Sequence, residues 1–390
     1  MNHLTDHRSG LVVFADDWGR HPSSCQHLVR QLLGRYEVLW VNTIGTRAPK
    51  LNLATLRRGV EKLCDWIRPR RPAAWPRGLR VADPTMWPWC RTAFDRHVNR
   101  RLLTRQLAGA IRELPRPVVA VTTLPTVADL VGVLPVDRWI YYCVDDFSLW
   151  PGLDHAALRR GEEMLVARAD VLIAVSETLQ RKLHSAGRPS HLVTHGVDLD
   201  HWAGEDSHES LPAFEHLERP WIVFWGVVDR RLDTAFLARL GADLNRGTIV
   251  LVGPESDPDP TLASCPRVVR LPAMAYEQLP VLARRSNVLI MPYIDAGVTR
   301  AMQPLKMKEY MATGRPVVLR ELPATRDWPD CADLTDSPEG FSHAVRLRLE
   351  TGLPSDQKIA RTRLADEGWA AKADLFAQLA LLESGELVEC

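Results

Sequence analysis

Short apolar runs alternate with stretches of helical spacing along most of the chain. Runs at 11–15, 37–41, 117–122, 139–144 and 170–175 predict buried strands, whereas 24–33, 156–167 and 177–186 repeat their apolar residues at helical intervals. Residues 127–131 add a further helical segment. A second series of apolar runs lies at 221–225, 248–252, 268–271, 288–292 and 316–319, and the Ala- and Leu-rich stretch 369–382 predicts a terminal helix. Uninterrupted apolar strands separated by helices suit parallel sheets, so the pattern predicts an α/β chain. Between the two series, 199–219 turns polar and loses its periodicity. This places a domain boundary there, giving units of 1–199 and 200–390.

Composition narrows the function classes. The 390 residues are 46% hydrophobic and 25% charged, with a formal net charge of +1. These are the proportions of a soluble globular protein, and they provide no basic field for nucleic acid. No apolar run approaches the roughly 18 residues of a spanning helix. The polar residues from Met1 to Gly10 predict no secretory signal. The seven cysteines are scattered without a Cys-x-x-Cys pair. Neither a zinc site nor a disulfide framework is expected, and a reducing cytoplasm is. One stretch departs from the average. Arg57, Arg58, Lys62, Arg68, Arg70, Arg71, Arg77 and Arg80 face only Glu61 and Asp65, with Trp66, Trp75, Trp87 and Trp89 in or just after them. Residues 57–89 either contact an anionic membrane surface or form a solvated, Pro-rich excursion over packed tryptophans.

Neither a G-x-G-x-x-G fingerprint nor a Walker A sequence is present, which weakens dehydrogenase and ATPase readings. Ligands of open α/β sheets still sit beyond the carboxyl ends of the strands. That rule selects Trp18, Gly19 and Arg20 after the first strand. It also selects Asp145 and Asp146, either of which can orient a hydroxyl or take its proton, or cap a helix instead. Gly226 permits close approach to the backbone. Arg230 and Arg231 suit a diphosphate, or else a surface turn in which they meet Asp229 and Asp233. His195 stands just before the boundary, where a lone histidine is more often structural than catalytic. The loop 295–300 precedes the most informative segment, 304–318. Pro304 suits the first turn of a helix, Gly314 its left-handed end, and Pro316 prevents its resumption. A helix start at Pro304 and Leu305, with Lys306 beside it, suits an anion. Glu309, about one turn later, can hold sugar hydroxyls.

Three stretches resemble the GT-B glycosyltransferases of family 4, also called glycosyl transferases group 1. Residues 304–318 resemble P-x-K-x-x-E-Y-x-A-x-G-x-P-V-V. Residues 192–198 resemble the NGVD crossover, with His195 for the usual Asn. Residues 142–147, Glu163 and 169–179 resemble the Y-D-x-x-D-D … E … AD … S-x-x-L half of a subgroup that builds cell-surface polysaccharides. The resemblance implies two facing Rossmann-like domains with parallel sheets, a nucleotide-sugar held mostly by the second, and a terminal helix returning toward the first. It implies that Glu309 holds the ribose and that Gly226, Arg230, Arg231, Pro304, Leu305 and Lys306 bind the rest of the donor. Asp145 and Asp146 then fall near the reacting centre, and Trp18, Gly19, Arg20 and His195 on the acceptor side or in the cleft. The first glutamate of the family's E-x7-E motif is replaced by Ala301. The implied reaction moves a hexose from a UDP- or GDP-sugar, with retention, to a polysaccharide or lipid-linked acceptor, with no metal or other cofactor. An epimerase, a phosphorylase or a silent partner subunit are the competing readings.

Overall fold

Seven strands of the first half pair into one parallel sheet in the order β3-β2-β1-β4-β5-β6-β7. They are β1 (Ser9–Ala15), β2 (Tyr36–Asn42), β3 (Leu79–Ala82), β4 (Val118–Thr122), β5 (Arg138–Cys143), β6 (Val171–Ala174) and β7 (His191–Leu192). A second parallel sheet has the order β12-β10-β8-β13-β14-β15. Its members are β8 (Trp221–Trp225), β10 (Thr248–Val252), β12 (Val268–Leu271), β13 (Val288–Met291), β14 (Val317–Arg320) and β15 (Asp333–Thr335). The short β9 (Val228–Asp229) and β11 (Glu255–Ser256) pair separately. The longer helices are α1 (Ser24–Leu32), α2 (Ala93–Arg112), α3 (His155–Arg168), α4 (Glu177–Ser185), α5 (Thr234–Asp243), α6 (Leu305–Ala312), α7 (Pro338–Thr351) and α8 (Trp369–Leu381). This computed structural model describes residues 9–19, 23–42, 75–150, 152–204 and 210–381. Arg20 and residues 57–74, which make up most of the basic stretch, lie outside the described residues. Among those described, no helix is long and apolar enough to cross a membrane.

The apolar runs form strands because both sheet faces are covered. Every residue of β4, β8, β10 and β13 is buried. Other elements lacked that signal. α2 buries Asp95, Asn99, Leu103, Leu107 and Ile111, a stripe at four-residue spacing whose first two members are polar. Asp95 closes a capping box with Thr92, and the Asn99 amide donates to the carbonyls of Trp87 and Trp89 at 3.1 Å. Part of the stretch read as an excursion is the edge strand β3, in which Leu79 is buried.

The chain divides into two compact units. The first contains the residues up to Val175, 179–193 and those from Ala373 on; the second contains Ser176–Thr178 and Thr194–Lys372. The polar stretch 199–219 therefore belongs to the second unit rather than separating the two. Trp202, Leu211 and Phe214 are buried in the second unit's core, and their burial outweighs the polar residues around them. The terminal helix α8 is shared between the units. Beyond Ala373 it packs Phe376 edge-on against Tyr142, with centroids 5.5 Å apart, and Arg35 reaches Asp374 at 2.8 Å.

Candidate functional site

In the second unit the apolar β8 runs into Gly226, and β10 into Gly253, side by side in register. Gly226 has φ +140°, and a Cβ there would fall 2.1 Å from Cε of Lys306 and 2.6 Å from its Nζ. Gly253 has φ +152°, and a Cβ there would lie 1.9 Å from the Gly226 carbonyl oxygen. Glycine is required at both positions by space and by backbone conformation. They form a bare step of backbone over which the Lys306 side chain extends.

Lys306 lies in the first turn of α6. Pro304 precedes that helix with φ −69° and ψ 118°, and no side chain caps its N-terminus. Orphan N–H groups and an ammonium thus share one end of the helix. No carboxylate pairs with Lys306 among the described residues, although its ammonium lies 6.0 Å from the Phe224 ring. Glu309 is partly exposed as a residue. Burial nonetheless pushes its carboxyl up to about 7, with Lys306 and the Trp225 indole pulling it down. The indole acts there across space, since its N–H meets no acceptor at hydrogen-bond geometry. The Tyr310 hydroxyl accepts from the Trp225 backbone N–H at 3.0 Å and so ties α6 to the end of β8.

The two arginines after Gly226 are engaged with carboxylates. Arg231 is buried, with Nη2 2.7 Å and Nε 2.9 Å from the Asp229 carboxylate and its guanidinium 5.8 Å from the Tyr293 ring centre. Arg230 is at the surface, with Nε 2.9 Å from Asp257. Asp233 meets neither arginine. It caps α5 through the N–H groups of Ala235 and Phe236 and pairs with Arg320 at 3.1 Å. The turn alternative therefore describes Arg231, whose charge is already matched. The stretch 295–300, read as a flexible loop, is ordered by a short helix, Gly297–Ala301. The Thr299 hydroxyl accepts from Ala296 N–H at 3.0 Å and donates to the Ile294 carbonyl. Ala301 ends that helix, is buried, and has its carbonyl bound by the Ser176 hydroxyl at 2.7 Å.

In the first unit, Asp146 is buried within an ion cluster. Its Oδ1 accepts from the Ser148 hydroxyl at 2.6 Å and pairs with Lys182 at 2.9 Å. Lys182 also pairs with Glu162, which accepts from the Tyr141 hydroxyl at 3.0 Å. Burial opposes the charge on Lys182, yet Glu162 and Asp146 raise its pKa above the ordinary value. Asp146 thus holds the loop after β5 through Ser148 and is paired with Lys182, and Asp145 beside it is partly exposed. Glu162, rather than the exposed Glu163, is the buried carboxylate of α3. A cavity of about 520 Å³, lined by Ser148, Glu162, Lys182 and Arg188 among others, adjoins the cluster.

The remaining candidates are held within the fold. Trp18 is buried edge-on against Trp40 at 4.7 Å, and its backbone N–H donates to Asn42 Oδ1 at 2.9 Å. Gly19 has φ +77° and donates to Gln26 at 3.0 Å. His195 is buried, with its ring 6.3 Å from Trp369, and its carbonyl accepts from the Lys308 ammonium. Lys308 was not among the sequence candidates. It is buried at 2% exposure in the same helix as Lys306 and Glu309. Only its neighbours in space distinguish it from the lysine two residues earlier.

No family model matches the chain. It is 24% identical over 221 residues to a Bacillus subtilis (strain 168) protein named as the teichuronic acid biosynthesis glycosyltransferase TuaH. The match covers 52% of this chain and 55% of that protein, so the chain spans about half the length of the curated relative it matches. Solved structures align over nearly the whole chain. Sucrose-phosphate synthase from Thermosynechococcus elongatus has a TM-score of 0.67 at 17% identity, covering 95% of this chain and 98% of that one. Anabaena HepE in complex with UDP-glucose gives 0.58 at 14% identity, covering 96% and 95%. A UDP-forming trehalose-phosphate synthase from Burkholderia xenovorans gives 0.64 at 15%, covering 96% and 100%. With a parallel sheet and its helices in each of two units, and these likenesses along its length, the chain has the GT-B fold of paired Rossmann-like units.

Proposed function

We propose that this protein is a glycosyltransferase that takes a UDP- or GDP-sugar and moves its hexose, with retention, to a polysaccharide or lipid-linked acceptor. The observation that carries the reading is the Lys306 ammonium, lying over the bare Gly226 backbone at the uncapped start of α6, one turn before Glu309. Breaking a sugar–phosphate bond leaves negative charge on the diphosphate. Lys306 and the first N–H groups of α6 are preorganised donors for that charge. Arg230 joins them readily, because an exposed pair such as Arg230–Asp257 costs little to exchange. Arg231 shapes the turn instead. Glu309, ionised on meeting the ribose hydroxyls, accepts from both. Asp145 is the carboxylate assigned to the acceptor hydroxyl, and the departing phosphate can also take the proton.

Ala301 leaves the donor sugar without the carboxylate that the resemblance places there, so the sugar's recognition rests on other groups. Binding of UDP and GDP, followed by thermal shift, tests the donor assignment, and a panel of nucleotide sugars then identifies the hexose. Failure of both nucleotides to stabilise the protein would refute the enzyme reading in favour of a silent subunit. UDP release without an acceptor would favour an epimerase, and consumption of inorganic phosphate a phosphorylase. We also assign residues 57–89 to peripheral contact with an anionic membrane, supported by the exposed Trp75 and Trp87 and by Trp89, edge-on to Trp87 at 4.9 Å. Salt-sensitive binding to phosphatidylglycerol vesicles is the expected result.

A further inference from the structure

Lys308 has no part in the anion site just described, yet it is among the most buried charged side chains in the protein, at 2% exposure. Its ammonium is bound by the Glu367 carboxylate and the His195 carbonyl, with the Thr194 hydroxyl at 3.4 Å. Glu367 is shared with Lys372 at 2.7 Å, and Lys372 in turn donates to Thr194 at 3.1 Å. Thr194 and Lys372 are the residues at which the long stretch of the second unit begins and ends. The backbone continues the tie: Val197 N–H donates to the Glu367 carbonyl at 2.9 Å, and a Cβ on Gly196 would lie 2.8 Å from the Trp369 ring. Taking an ammonium out of water costs several kcal/mol unless it is paired and hydrogen-bonded, and here three groups converge on it.

We propose that Lys308 is a positioning residue for donor binding, which fixes α6, and with it Lys306 and Glu309, against the two segments where the chain enters and leaves the second unit. This rests on the donor reading given above. One helix therefore carries ligand groups on one side and its own anchor on the other. Moving the segments at Thr194 and Glu367 would shift the diphosphate and ribose contacts together. Burial pushes the Lys308 ammonium down to about 8, with Glu367 and Asp327 holding it up and Lys372 adding to the depression. Burial works against the Glu367 carboxylate too, but the two lysines overcome it and its pKa falls. The anchor therefore weakens as pH rises through 8. Arginine, which keeps its charge throughout, would preserve it.

The test compares the full-length wild type, Lys308→Met and Lys308→Arg by hydrogen exchange without ligand and by calorimetric titration with UDP at pH 7 and pH 9. In Lys308→Met we expect amide exchange in α6 and at 194–197 to accelerate at least tenfold, exchange in β4 to stay unchanged, and UDP affinity to fall about tenfold. Between pH 7 and pH 9 wild type should lose affinity relative to Lys308→Arg, which shares every other titrating group of the site. Wild-type exchange and affinity in Lys308→Met, acceleration spread equally over both units, or identical pH profiles for wild type and Lys308→Arg would each overturn the proposal. If Lys308→Met does not fold, the Lys308→Arg pH comparison decides. If wild type binds no UDP, the donor reading falls by itself, and the exchange comparison still decides whether Lys308 anchors α6.

Discussion

Lys182 in the first unit and Lys306 in the second both lie on helices beside a strand's carboxyl end, but they are placed in opposite circumstances. Lys182 is closed between Asp146 and Glu162, two carboxylates nearly out of solvent. Lys306 meets no carboxylate at ion-pair distance among the described residues and lies over bare glycine backbone. A charge that serves the fold is matched by the fold, because an unmatched one in the interior is expensive. A charge that serves a ligand is left for the ligand to match. On this criterion Asp146 and Arg231, both plausible chemical groups in sequence, fall on the structural side with Lys182, and Lys306 stands on the other.

Substitutions sharpen the contrast. Lys182→Met strands two carboxylates and should cost about 3 kcal/mol of stability, read as a lowered denaturation midpoint, with UDP affinity of the folded fraction unchanged. Lys306→Ala should do the reverse: turnover with the sugar nucleotide falls about a hundredfold, on the order of 2.7 kcal/mol, while the midpoint holds. Gly226→Ala should lower turnover as well, since the added methyl claims the space of the Lys306 side chain, but with a lowered midpoint, because its backbone conformation disfavours any side chain. Equal effects of the two lysine substitutions on stability would dissolve the distinction.

Glu309 provides a pH-dependent form of the same contrast. Its folded pKa, about 7, is above its ordinary 4.5. Below pH 4.5 the group is neutral in both states and costs nothing. As pH rises from 4.5 to 7 the unfolded chain ionises first and the folded state loses stability, with the full cost reached above 7. Glu309→Gln should therefore stabilise the protein at pH 8 but not at pH 4, by about 2 kcal/mol once the full shift is discounted for the residue's partial exposure, read as a raised melting temperature, while weakening UDP binding. An unchanged affinity would refute the ribose assignment. Arg230→Ala, at an exposed pair, should leave stability unmoved and lower turnover severalfold, the smallest of these effects.

The α/β class, most of the strands and the helix at 304–318 were legible because buried strands and helix ends leave local signatures; β3, β9, β11 and β15, short and largely polar or partly buried, were not. α2 was not, because two of the five residues in its buried stripe are Asp95 and Asn99, which read as surface until their partners, the Thr92 cap and the Trp87–Trp89 loop, are seen. The polar run after Leu199 hid part of the second unit's core in the same way, as single buried residues such as Trp202 and Phe214 carry no periodicity. Within the candidate site, Pro304, Lys306 and Glu309 could be found from spacing, whereas the pairing of Arg231 with Asp229 and of Lys308 with Glu367 depends on contacts that spacing does not encode.

The hydrogen bond between Lys372 and Thr194 at 3.1 Å has a meaning for ancestry as well as for mechanics. The entrance and exit of the second unit's long stretch are neighbours, the arrangement in which a whole domain can be grafted or exchanged without moving the ends of its host. Under the proposed donor reading, a cassette of this kind would let recombination alter the choice of activated sugar while the remainder of the polypeptide is inherited intact.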